Sequence, residues 1–321
     1  MAHAQTLAPF LAFPRVTISS LSTLTSASAA ATAQRTALLA HLLKNNSAEH
    51  TRKSGAIFSA FFFNKNFQGA IMNNLTENER VDQVNDSLSL IQKKDGLTFG
   101  TDALLLAAYI SGKFDTGIEI GGGSGIISML LLTREKVKKI TAIEVQEDYA
   151  ALIRRNARLN GLSESLTSVY ADAREYKASS EVSIVFTNPP YMKAGGGKRN
   201  DTDAKNAARH EMNGDIGELI GAAARMLKYG GTFAAVYRPD RITDIIFAMR
   251  DKKIEPKRMT FVHADTTSEA SMVLIEGKRG GGCGLQLTRP LIIYKDRSHT
   301  EYGEDMDYIM RFGSFPKEYK R

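Results

Sequence analysis

Between residues 116 and 238 the chain alternates short apolar runs with helical periods, and no other feature restricts its fold as much. "TGIEI" (116–120), "KITAIEV" (139–145), "LTSVYAD" (166–172), residues 182–187 and "GTFAAVYR" (231–238) read as strands. Between them, "IISMLLLTRE", "EDYAALIRRNARLN" and "IGELIGAAARMLK" read as helices, the second ending at Gly161 and the third stopping at Gly230-Gly231. Strands that alternate with helices imply a parallel sheet covered on both faces. A further helix, "ITDIIFAMRDK", precedes "RMTFVHA" and "SMVLIEGKR", which read as a closing antiparallel hairpin. Upstream, "DSLSLIQKKDG" (86–96) reads as a strand pair or strand-turn. "TDALLLAAYIS" (101–111) reads as a helix capped by Thr101 or Asp102.

Residues 1–71 differ in kind. "ISSLSTLTSASAAATA" is low in complexity and shows no sustained period, so the segment is expected to be a disordered extension before a single domain at 72–321. It reads either as a transit-like leader or as an over-extended start, since the residues before Met72, "QGAI", can encode a ribosome-binding sequence. The start at Met72 is the preferred reading. The segment also carries most of the basic excess. It holds six basic residues and one acid, which leaves 36 basic and 34 acidic residues in the rest of a chain of net charge +7. The overall charge therefore says little about the main domain's partner. A single cysteine, Cys283, excludes an internal disulfide and a Cys-rich metal site and fits a cytoplasmic setting. No apolar run is long enough to span a membrane.

In a doubly wound sheet ligands bind beyond the carboxyl ends of the strands. After the first strand stands "EIGGGSG", whose Gly121, Gly123 and Gly125 allow a tight turn and close approach to a ligand. The dinucleotide fingerprint would need glycine where Ile126 stands, and Glu119 would repel a pyrophosphate but suit a cation. A plain tight turn is the alternative. Glu144 ends the second strand and can accept from both hydroxyls of a ribose, or be a solvated acid at a helix start. Asp172 follows the third and can accept from an adenine amino group, or cap a helix. The fourth strand ends in Asn188, Pro189, Pro190 and Tyr191. An amino group on a planar base is a poor nucleophile because its lone pair is delocalised. Two acceptors, the Asn188 side-chain oxygen and the Pro189 carbonyl, would favour the tetrahedral nitrogen that attacks a sulfonium methyl. The prolines hold the corner rigid, and Tyr191 would stack on the base.

With "DGLTFGTDALLLAAYI", "NPPY" and "ARHE" (208–211), the sequence resembles the bacterial tRNA1(Val) adenine-N6-methyltransferase family over roughly residues 80–315. The resemblance implies a Rossmann-like class I methyltransferase fold, a mostly parallel seven-stranded sheet with an antiparallel C-terminal edge hairpin. It implies S-adenosyl-L-methionine as cofactor, no metal, a monomer, and adenosine 37 of tRNA as target. Phe99, Thr101 and Asp102 would border the methionine end of the cofactor. Gly122 departs from the usual pattern and is expected to alter the flexibility of the turn. The loop after the corner offers Lys193, Lys198, Arg199 and Arg209 for RNA phosphates. Lys278-Arg279 and the terminal "KEYKR" are weaker candidates. "NPPY" is shared with DNA adenine, rRNA guanine and protein glutamine methyltransferases, so a release-factor glutamine methyltransferase is the nearest enzyme alternative. A non-catalytic RNA-binding module of the same fold is the alternative from another class.

Overall fold

A computed structural model describes residues 75–96, 99–189 and 216–320, all within the compact unit Asn74–Arg321. The expected extension at 1–71 lies outside the described residues, as do Pro190, Tyr191 and the loop that follows them.

The alternation of apolar runs becomes a mostly parallel sheet. β3 (Phe114–Ile120), β4 (Val137–Glu144), β5 (Leu166–Tyr170), β6 (Val182–Thr187) and β7 (Leu227–Tyr237) run parallel in the order β5-β4-β3-β6-β7. β8 (Ile254–His263) and β9 (Ala270–Arg279) form the expected antiparallel hairpin, with β9 inserted between β7 and β8. Two short strands, β10 (Gln286–Leu287) and β11 (Leu291–Ile292), pair in parallel with the outer side of β8. They extend the expected seven strands to nine and cover what would otherwise be an open edge.

Alternate residues along each strand feed two separate cores. Ala142, Ile184, Phe186, Ala234 and Val236 pack with α1 (Thr101–Tyr109), α2 (Ile126–Thr133) and α3 (Glu147–Leu159). Ile143, Val185, Phe233 and Ala235 pack on the other face with α4 (Ile216–Met226) and α5 (Ile242–Asp251). Burial on both faces explains why these strands read as nearly continuous apolar runs. α6 (Glu304–Phe312) adds Met306 and Ile309 to the first core. After it, Tyr319 is fully buried, and its carbonyl accepts from the buried Arg258 at 2.9 Å. The C-terminal segment proposed for RNA contact is therefore partly structural.

Before the sheet, β1 (Glu79–Asn85) and β2 (Leu88–Lys93) form an antiparallel hairpin. α3 completes the free edge of β2 through two asparagines one helical turn apart. Asn156 accepts from Ile91 N at 2.7 Å and donates to Ile91 O at 3.1 Å, and Asn160 makes the same pair with Ser89 at 3.0 and 2.7 Å. Four residues of helix rise about 6 Å and two residues of strand about 6.7 Å, so the two amides match alternate residues of the strand. The hairpin is thus fixed to the helix that follows β4.

Candidate active site

β3 leads by α2 to β4 on one side of it, whereas β6 lies on its other side. This reversal opens a crevice at the carboxyl edge between β3 and β6. A shallow cleft there, open to solvent, is lined by Gly121, Val145, Asp172, Pro189 and Leu219 among others. It spans the ends of four successive strands, so the glycine turn, Asp172 and the Asn-Pro corner share one site.

The turn is built for close approach. Gly121, Gly123 and Gly125 all have positive φ (73°, 53° and 84°), a region that other residues enter only with strain. Gly122 meets a different constraint. A Cβ there would lie 2.8 Å from Ile153 Cδ1 and 3.2 Å from Ala142 Cβ. It lets the turn pack on α3 and β4.

Carboxylates lie under and beside this turn. Glu144 is buried; Oε2 accepts from Gly123 N at 2.8 Å and Oε1 from Gln146 N at 3.0 Å. Each oxygen has further accepting capacity toward a ribose hydroxyl. Glu119 is only 1% exposed, and its Oε2 accepts from Ser128 N at 3.3 Å and from the Ser128 hydroxyl. It ties the end of β3 to the first turn of α2 from beneath the glycines, rather than opening toward a ligand. Burial pushes its carboxyl up to about 8, against the opposing pull of the Ser128 hydrogen bonds.

Asp172 stands on the cleft wall, but both its oxygens are held by the Arg174 guanidinium at 2.5–3.0 Å, and Oδ1 also accepts from Arg174 N at 2.8 Å. That guanidinium holds its carboxyl below the ordinary range. Asp172 is therefore an acceptor braced by Arg174.

The corner itself begins where the Thr187 hydroxyl donates to Ile120 O at 2.9 Å, tying β6 to β3. Asn188 Nδ2 then donates to Asp102 Oδ2 at 2.9 Å. Thr101 opens α1, and Gly100, not Thr101 or Asp102, occupies the cap position. Phe99 is held by its N–H, which donates to Gln92 Oε1 at 3.0 Å. Pro189 lines the cleft, whereas Pro190 and Tyr191 and the basic residues Lys193, Lys198, Arg199 and Arg209 lie outside the described residues. Lys278 and Arg279 stand at the far end of β9, which runs antiparallel and so ends at the opposite edge of the sheet. Lys278 donates to Thr232 Oγ1 at 2.7 Å, and Arg279 to Glu181 Oε1 at 2.8 Å. They therefore stand away from the carboxyl edge that holds the cleft.

Sequence reasoning missed Ser128, Thr187 and Asn156. Asn156 donates to Ser124 O at 3.0 Å inside the glycine turn, linking it to the hairpin. A buried asparagine in mid-helix was the available signal, because asparagine is a weak helix former and needs partners when buried.

Two acids with accepting capacity, Glu144 beneath the glycine turn and Asp172 on the cleft wall, stand at this crevice, where a dinucleotide fold would offer amides to a pyrophosphate. Acceptors there fit S-adenosylmethionine, a cationic ligand with ribose hydroxyls to donate. Together with β9 inserted between β7 and β8, they make this a class I methyltransferase fold. A family model described as "Methyltransferase small domain" matches residues 91–243. The tRNA1(Val) (adenine(37)-N6)-methyltransferase of Aeromonas hydrophila is 30% identical over 183 residues, 56% of this chain and 76% of the relative. That of Flavobacterium johnsoniae is 25% identical over 229 residues, 70% of this chain and 95% of the relative. Among solved structures, a predicted O-methyltransferase of Agrobacterium tumefaciens superposes with a TM-score of 0.54 at 21% identity, covering 67% of this chain and 98% of the other, a likeness of fold. The chain belongs to the tRNA1(Val) (adenine(37)-N6)-methyltransferase family. Among the described residues, no helix is long and apolar enough to cross a membrane.

Proposed function

We propose that the protein transfers a methyl group from S-adenosylmethionine to N6 of an adenine in tRNA, with adenosine 37 of tRNA1(Val) as the target. The observation that carries this reading is Asn188 at the end of β6, its amide held beside an acid-flanked cleft at the switch point. The named relatives support the choice of tRNA adenine over the other substrates that share the corner.

The cofactor supplies an electrophilic methyl on a cationic sulfur. Glu144 binds its ribose hydroxyls and at the same time holds Gly123 N, so binding and the shape of the turn depend on one carboxylate. The apolar wall of Ile143, Val145, Ala171 and Leu219 takes the flat face of its adenine, and Asp172, braced by Arg174, stands at the rim. On the substrate side, the Asn188 carbonyl and the Pro189 carbonyl accept the two hydrogens of the target amino group. These bonds strengthen as the nitrogen becomes tetrahedral, which is where they lower the barrier. Tyr191 stacks on the target base, and Lys193, Lys198, Arg199 and Arg209 contact its phosphates.

Nucleoside mass spectrometry of individual tRNAs from a strain lacking the gene tests this reading. Loss of one methyl from adenosine 37 of a single tRNA, restored by the wild-type gene, is the expected result. Unchanged tRNA together with an unmethylated release-factor glutamine would overturn it.

A further inference from the structure

We infer that Asp102 is a positioning residue for the Asn188 amide, not a ligand of the cofactor's methionine end; the inference rests on the methyl-transfer reading above. A side-chain amide can turn over with little change of shape, and only one orientation presents its oxygen to the target nitrogen. A carboxylate accepts and cannot donate, so the group it faces at 2.9 Å is the Asn188 NH2. The Asn188 carbonyl oxygen is thereby turned away from Asp102. The hydrogen bond selects the orientation that the chemistry requires, across 86 residues of sequence.

The carboxylate is itself held by its own helix. Asp102 Oδ1 accepts from Ala103 N at 2.9 Å, in the first turn of α1. Beside it, a Cβ at Gly100 would lie 2.7 Å from that same oxygen, so glycine leaves the space the carboxylate occupies. The strand side is equally fixed, because Thr187 is tied to Ile120 O. Gly100, Asp102 and Asn188 thus form a relay in which the start of α1 sets the catalytic amide. An asparagine left free to rotate would present NH2 to the substrate amino group for part of the time and repel it.

The test is a double-mutant comparison on the full chain, with one measurement that does not depend on turnover. Asp102→Ala is expected to lower kcat by about ten- to a hundredfold while cofactor affinity stays within about twofold. Gly100→Ala, which pushes the carboxylate aside without removing it, should lower kcat in the same direction. In the Asn188→Ala background neither change should cost anything more, since no amide remains to orient. The Asn188 side-chain amide resonances should also move in Asp102→Ala. The inference is overturned if Asp102→Ala weakens cofactor binding tenfold or more and leaves kcat at saturating cofactor unchanged. It is equally overturned by the same loss of kcat with and without Asn188, or by amide resonances that stay in place. Wild-type protein that methylates no tRNA adenine, with the Asn188 resonances still moving, would contradict the proposed function and support the relay.

Discussion

Replacing Asn156 with leucine keeps the size of the side chain and deletes its amide, a change that should damage stability and cofactor binding together. The residue is fully buried and makes three hydrogen bonds to main-chain atoms: Ile91 N at 2.7 Å, Ile91 O at 3.1 Å and Ser124 O at 3.0 Å. A typical hydrogen bond contributes about 1 kcal/mol net, but a buried group left unsatisfied costs about 1–3 kcal/mol. Three stranded groups, partly relieved by local relaxation and by the apolar replacement, give an expected loss of about 3–4 kcal/mol. That is a large share of the roughly 5–15 kcal/mol that holds an ordinary domain together. Asn160→Ala acts at a partly buried position near the end of α3, nearer to solvent than Asn156, so it should cost less, about 1–2 kcal/mol. Urea unfolding followed by circular dichroism measures both. Because Ser124 belongs to the glycine turn, calorimetry on Asn156→Leu should also register weaker S-adenosylmethionine binding. A loss below about 1 kcal/mol for Asn156→Leu, or one no larger than that of Asn160→Ala, would refute the account of how α3 holds the hairpin and the turn.

Glu144→Ala removes an ionised acceptor worth about 1.5–3 kcal/mol, so calorimetry should find cofactor binding weakened by about ten- to a hundredfold. Gly122→Ala should destabilise the protein by about 1–3 kcal/mol in urea unfolding, and Ile153→Val, which removes the atom nearest the new Cβ, should recover part of that loss. Glu119 has a carboxyl raised above its unfolded value, so between about pH 4.5 and pH 8 the unfolded chain gives up a proton that the folded chain keeps. Stability contributed by this residue is therefore present below that window and falls as pH rises through it. Glu119→Gln should abolish this slope in unfolding curves measured from pH 5 to pH 8.5, and an unchanged slope would assign the titration to another group.

The central sheet was legible because its parallel strands are buried on both faces and so leave continuous apolar runs such as Val182–Phe186. β1, "ERVDQVN", stayed hidden because it is largely polar and only half covered. β10 and β11 are two residues each, too short to carry any period. The site was legible where position along a strand suffices: the glycine turn, Glu144, Asp172 and Asn188 reach one edge because strand ends in a parallel sheet do. What those side chains touch was not. One partner of Asn188 lies 86 residues away on α1, and one partner of Glu144 is a backbone amide of the glycine turn. Arg174 is an exception, since its place two residues after Asp172 already allowed the ion pair that closes over it.

The measurement closest to the central claim compares Asn188→Ala with wild type, using a tRNA substrate, labelled S-adenosylmethionine and calorimetry of cofactor binding. Because the Asn188 oxygen acts on the nitrogen as it becomes tetrahedral, kcat should fall by orders of magnitude, roughly the hundred- to thousandfold typical of losing one such group, while cofactor affinity barely moves. Methylation of tRNA at the normal rate by Asn188→Ala, or a loss confined to cofactor binding, would contradict it.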